Sequence, residues 1–194
     1  MPSNRCAFIT GCLAILFAAS SAAFEPSSDN DRKAPLVLPA SGTIQAAFTP
    51  GDDAGELIAE AIRSAHRQVL VQTFSFTHRK IAAALIAAKH RGVDVKVITD
   101  KEQARRIPTS LISKIAAEGV PVFTDAKHTS AHNKVMVIDA GNPDAIVITG
   151  SFNFTQAAQY RNAENVLVIR DNAALADLYL QNWRRHYEHS RPYH

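Results

Sequence analysis

Cysteine is nearly absent from the 194-residue chain: Cys6 and Cys12 are the only two, and both lie in its first dozen residues. Neither a disulfide framework nor a cysteine-ligated zinc is therefore expected in the body of the protein. Glycine (8) and proline (9) are too few for a collagen-like or low-complexity chain. Charge of one sign is also lacking. Lys+Arg 21 against Asp+Glu 18 leaves a net +3, too mild to argue for or against a polyanionic partner. No internal repeat is visible. With 46% apolar and 20% charged residues the chain has enough apolar surface to fold, which excludes the disordered class.

No apolar run reaches the roughly 20 residues needed to span a bilayer. The one that comes nearest, Cys6 to Phe17, follows Arg5 and precedes Ala18-Ala19-Ser20-Ser21-Ala22-Ala23. That order, a positive start, an apolar centre and small residues, reads as a secretory signal over 1–23 with cleavage before Phe24. A buried amino-terminal helix would show a polar stripe, and none appears. Ile9-Thr10-Gly11-Cys12 loosely resembles a lipoprotein box, but it comes early and leaves most of the apolar stretch after the cut. Cleavage would remove both cysteines and one charge, Arg5, leaving +3 − 1 = +2. Residues 24–42, rich in proline, serine and aspartate, read as a flexible leader.

From 43 to 194 short apolar runs alternate with amphipathic stretches. Strands are expected over 44–49, 68–76, 93–99, 120–123, 134–138, 145–149 and 165–169. Helices are expected from Asp52 or Asp53 to about 65, over 78–91, over 103–118 with a break near Pro108, over 154–160 and over 172–188. The alternation predicts one α/β domain, a mixed β-sheet with helices on both faces. The inward side of the last helix is expected to carry Leu175, Leu178, Tyr179 and Trp183.

Chemistry concentrates in His132-Asn133-Lys134 and in Gly150-Ser151-Phe152-Asn153, with Glu164 downstream. Strand side chains alternate, so His132 and Lys134 point one way, as do Ser151 and Asn153. An imidazole, an ammonium, a hydroxyl and an amide converging from two strand ends make an anion site, and a phosphate ester is the expected target. Gly150 lets the backbone approach a ligand closely. Asp139, seven positions from His132, faces away on a straight strand and reads as support for the site. No cluster of Asp and Glu accompanies these residues, which excludes an oxygen-ligated two-metal magnesium centre.

These residues resemble the signature of the phospholipase D superfamily, H-x-K-x4-D followed by G-S-x-N. His132, Lys134 and Asp139 match the first part and Gly150, Ser151 and Asn153 the second, with Glu164 where the family places an acid. The likeness extends to Phe74–Thr77 and Ile86–Val95 and covers roughly residues 43–190. Ten residues, 140–149, separate Asp139 from Gly150. That is more than the family usually has, and Gly141-Asn142-Pro143-Asp144 reads as a lengthened hairpin turn.

The resemblance implies a phospholipase D-like fold and, most closely, a small exported bacterial endonuclease with one motif per chain. It implies attack on phosphorus by one histidine, protonation of the leaving oxygen by a second, and release of a phosphohistidine by water. With one motif here, the second histidine would come from a homodimeric partner. Lys134 and Asn153 would hold phosphate oxygens, Ser151 would line the pocket, Glu164 would accept from the far nitrogen of His132, and Asp139 would brace the motif. No cofactor and no metal is implied. The substrate is expected to be nucleic acid, with no stable membrane association after signal cleavage.

Two other functions share these residues: a phospholipase D or cardiolipin-type lipid hydrolase, and a non-catalytic nucleic-acid-binding module. Chain length and the lack of an amphipathic membrane helix favour the nuclease over the lipid enzyme. The intact residue set favours an enzyme over the module. Elsewhere, His66, His78, His90 and His128 read as solvated, and no histidine pair is expected to form a helix-borne zinc site. Phe74, Phe76, Phe152 and Phe154 read mostly as core. Trp183 to Tyr187, with Arg191 and Tyr193, forms a basic, aromatic end that reads equally as a nucleic-acid contact and as cations complementing a helix dipole.

Overall fold

The computed structural model describes residues 34–194. The expected signal peptide and most of the expected leader lie outside the described residues. All the elements below belong to the unit formed by residues 38–194.

Eight strands form one sheet in the order β1-β7-β6-β5-β2-β3-β4-β8. They are β1 (Thr43–Thr49), β2 (Gln68–Thr73), β3 (Asp94–Asp100), β4 (Val122–Asp125), β5 (Lys134–Ile138), β6 (Ile146–Gly150), β7 (Glu164–Arg170) and β8 (Arg191–Pro192). Strands β2, β3 and β4 run parallel, while β5, β6, β7 and β1 continue the sheet antiparallel. The helices are α1 (Ala54–Arg63), α2 (Arg79–His90), α3 (Lys101–Arg106), α4 (Ile112–Ala117), α5 (Gln156–Tyr160) and α6 (Ala173–His189).

Both faces of the sheet are covered, as the continuous apolar strands require. In β5 all five residues are buried. Met136 and Ile138 join the core formed with Ile58 and Ile62 of α1, Ile81 and Leu85 of α2, and Ile115 of α4. Val135 and Val137, on the other face, pack with Ala176 and Trp183 of α6. Trp183 is core: its indole N–H donates to the Val71 carbonyl at 3.1 Å, and its ring stacks on Tyr187. On α6, Leu180 packs inward where Leu178 was expected; Leu178 is half-buried and lies outside that cluster.

Local chemistry sets the boundaries. Asp53 caps α1 by accepting from Glu56 N, Asp100 caps α3 through Glu102 N and Gln103 N, and Asn172 caps α6 through Leu175 N. Pro108 splits the expected 103–118 helix into α3 and α4. Strand β2 stops at Thr73 because Phe76 leaves to bridge Phe154. The end of the expected leader is held to the domain, since Asn172 Nδ2 donates to Pro39 O at 3.2 Å.

One edge of the sheet gathers the carboxyl ends of β1, β2, β3, β4 and β6 and the amino ends of β5 and β7, because Thr73 pairs with Lys134, Thr49 with Glu164 and Gly150 with Val166. Open α/β sheets place their sites at such an edge. The long 140–145 turn closes the β5–β6 hairpin at the opposite edge, with Asn142 N on Asp139 O and the Val135–Thr149 register intact. Its extra length leaves the site end of the hairpin unchanged.

Candidate active site

His132, Lys134, Gly150, Ser151, Asn153 and Glu164 line one open depression of about 440 Å³ at that edge. Alternation positions the second group. Phe152 and Phe154 are buried in the core, so Ser151 and Asn153, which alternate with them, turn toward the depression. Gly150 has φ +152°, and a Cβ there would lie 2.3 Å from the Asn165 carbonyl oxygen. Any side chain at 150 would push β6 off β7 and carry Ser151 with it.

His132 is exposed while Lys134 is buried beneath it. The Lys134 ammonium lies 2.9 Å from Nδ1 and 3.0 Å from Nε2 of His132, and donates to the His132 carbonyl at 2.9 Å. Burial holds the Lys134 ammonium below the usual lysine range, with the negative charge of Glu164 opposing. The Ser151 hydroxyl accepts from Asn165 N at 3.0 Å and from Asn165 Nδ2 at 3.3 Å, which leaves its O–H to donate to a ligand. Asn153 Oδ1 is buried without a partner.

The site differs from the sequence expectation in four places. Glu164 does not bond His132: its carboxylate accepts from Asn162 Nδ2 at 3.0 Å, while the Lys134 ammonium sits beside both ring nitrogens. Asp139, expected to brace the motif from outside the depression, lies outside it but braces something else. It ends β5 at φ +51°, and its carboxylate accepts from the backbone of His66, Arg67 and Gln68 at 2.7–2.8 Å. It therefore braces the α1–β2 connection. Phe74, read with the core phenylalanines, belongs to the site. Its ring lies 4.5 Å from the His132 ring and 5.3 Å from the Lys134 ammonium. No local signal marked it, since Phe76, two positions on and of the same parity, is buried core. His78 is not solvated. It is buried against Gly55 and Phe152 with both ring nitrogens unpartnered, and burial pushes its imidazole below the usual histidine range.

A second cluster went unread in the sequence. His186 and His189, three apart on α6, converge with His128 on Asp125. The i, i+3 spacing puts the first two on one helix face, but their partners lie some sixty residues away.

The family described as "Cardiolipin synthase, PLD-like domain" matches residues 58–187. The chain belongs to the phospholipase D superfamily. It is 41% identical over 140 residues to a phospholipase D of Rickettsia bellii, which covers 72% of this chain and 67% of the relative. It is 31% identical over 141 residues to a mitochondrial cardiolipin hydrolase of Xenopus laevis, covering 73% and 64%. The crystal structure of Nuc, a phospholipase D family member from Salmonella typhimurium, superposes with a TM-score of 0.72 at 36% identity, covering 79% of this chain and 99% of that one. The chain is thus an enzyme of the superfamily, a phosphodiesterase with the expected α/β fold.

The buried lysine carries a pH prediction. Its folded pKa is lowered, so its charge is lost on raising pH earlier than that of a free lysine. KM for a phosphodiester is expected to climb on the alkaline side, within and below the ordinary lysine range. In Lys134→Arg the guanidinium stays charged, so the climb should disappear even where kcat falls. Steady-state profiles of both proteins check this, and an identical alkaline climb in the arginine variant would exclude Lys134 as its source.

Proposed function

We propose that the chain is an exported, metal-independent endonuclease that cleaves nucleic acid without sequence preference, through a phosphohistidine formed at a site shared by two copies. The observation that carries this reading is the single depression holding one imidazole, one buried ammonium, a free hydroxyl donor and an amide, all aimed where a phosphate would sit. An in-line displacement needs a nucleophile and an acid, and the depression offers one histidine. His132 of the partner subunit supplies the other.

In this mechanism the Lys134 ammonium holds the lone pair of the unprotonated His132 nitrogen in the free enzyme. An incoming phosphate oxygen takes the ammonium and frees that lone pair for attack. The P–O bond to the leaving group breaks as the N–P bond forms, and the partner's His132 gives its proton to the departing oxygen. The same group then deprotonates the water that releases the product.

A second hollow, about 630 Å³, supports nucleic acid over a lipid headgroup. Arg79, Arg161 and the exposed Tyr160 line it with Gln156, three residues past Asn153, so cations and a stacking surface lie a short way along the chain from the site. Among the described residues no helix is long and apolar enough to cross a membrane. Export rests on the Arg5–Ala23 signal pattern. Dimerisation is supported by Phe48, 62% exposed on β1, whose end pairs with Glu164 at the site edge.

The test is plasmid DNA in excess EDTA. The wild type is expected to nick and then linearise it. Absence of cleavage, together with release of headgroup from cardiolipin or phosphatidylcholine vesicles, would transfer the assignment to the lipid hydrolase. Cleavage only on adding a metal would overturn the mechanism.

A further inference from the structure

The geometry of the second histidine cluster assigns a divalent transition-metal site of the zinc class to Asp125, His128, His186 and His189. It stands apart from the catalytic depression and does not rest on the nuclease reading.

Three ring nitrogens face one atom. Asp125 Oδ2 lies 3.0 Å from His128 Nδ1, 3.0 Å from His186 Nδ1 and 3.1 Å from His189 Nε2. A carboxylate oxygen has about two lone pairs, so it cannot accept fully from three imidazoles at once. Three neutral rings and a carboxylate around a cation satisfy every donor atom. All four ligand atoms lie within 4.8 Å of one another. A tetrahedral zinc with bonds of about 2.0–2.1 Å holds its ligands roughly 3.3 Å apart, so a small contraction closes the site. Three imidazoles with one carboxylate select zinc, or cobalt as its probe, over calcium and magnesium, which prefer oxygen.

The ligands are held in advance. The Asp125 side chain is fully buried, and its other oxygen accepts from Lys127 N at 2.9 Å, which aims Oδ2 at the rings. His186 and His189 share the last turn and a half of α6, and β8, just beyond, pairs with β4 beside Asp125. The ring centroids lie 5.0–5.4 Å apart. A hollow of about 410 Å³, lined by all three histidines with Lys127, Arg185 and Glu188, opens the site to solvent.

Four protein ligands leave no open position, so the role is structural. The metal would clip the end of α6 to β4 and to the 126–133 loop, which leads into His132. Strand β4 lies three strands from β5, roughly 14 Å at ordinary strand spacing. The clip therefore steadies the loop without touching the reacting phosphate.

Full-length protein stripped with chelator and dialysed against micromolar zinc is expected to take up one zinc that the double variant His128→Ala/His189→Ala does not. Cys6 and Cys12 remain in both proteins, so any zinc on them cancels. Zinc should raise the Tm of the wild type by roughly 5–15 °C and leave that of the double variant unmoved. Cobalt should give the intense visible bands of a tetrahedral site in the wild type. His128→Ala alone, altering a half-exposed loop residue, should lose that spectrum while keeping the fold by circular dichroism. Equal zinc uptake by wild type and double variant, or no wild-type uptake, overturns the proposal. Plasmid nicking by the double variant at 20 °C is expected to persist, which separates failure of this site from failure of the nuclease reading.

Discussion

Mixing wild-type chains with His132→Ala chains, and letting subunits exchange, is expected to lower total cleavage as the square of the wild-type fraction. An equal mixture should retain about a quarter of the activity of the same total concentration of wild type, because under the proposed shared site only dimers with two histidines are complete. The reason is geometric. The depression contains one imidazole, and neither His128 nor the His186–His189 pair lines it. Under that proposal His132→Ala alone loses nucleophile and acid together, so its turnover should drop by at least about 10³-fold. Its fold should survive, since His132 is exposed and its ring supports only Phe74 and the Lys134 ammonium. Activity that falls in simple proportion to the wild-type fraction would mean that each chain acts alone. The second proton donor would then have to be sought within one chain, where Glu164 is the nearest acid lining the depression.

Asp139→Ala should do the opposite, costing stability and sparing chemistry. The carboxylate accepts from three consecutive backbone amides, His66, Arg67 and Gln68, and is almost fully buried. Removing it orphans those donors at roughly 1–3 kcal/mol each, partly recovered where water reaches the outer two. Alanine also tolerates φ +51° poorly, adding about 1 kcal/mol. A net loss of about 3–5 kcal/mol is expected, which lowers Tm by roughly 10 °C or more in a domain of this size. Asparagine keeps one acceptor oxygen and accepts the left-handed backbone, so Asp139→Asn should lose less than half as much. Thermal melts rank the three proteins. Below its melting point Asp139→Ala should keep kcat within a few-fold, whereas a hundredfold loss with an unchanged melt would place Asp139 in the chemistry.

Most of the sheet was legible because its central strands are apolar on both faces, and four of the six helices begin at a side-chain cap, α2 and α4 being the exceptions. Asp53, Asp100 and Asn172 mark three starts by side-chain bonds to the first turn. Boundaries slipped where tertiary contacts decide them. Strand β2 ends early for the Phe76–Phe154 bridge, and Pro121 delays β4, its carbonyl instead accepting from Val97 N. His78 misled because a histidine at a helix start is ordinarily solvated; a glycine at 55 makes room for its ring. Tyrosine and arginine near the carboxyl end read as one basic surface, yet Trp183 within it belongs to the core.

Local order in the sequence determined the candidate group, since His132 with Lys134 and Ser151 with Asn153 sit at period-two spacing near strand ends, and alternation brings each pair to one face. It also assigned Asp139 to support by its odd offset. Only the tertiary structure decided which partners those residues meet: Phe74 against His132, Asn162 rather than His132 on Glu164, and three histidines from two distant segments on Asp125. The physical reason is the range of the information. A strand's periodicity fixes where its own side chains point, while contacts between elements depend on strand order and helix seating, which no short window of sequence encodes.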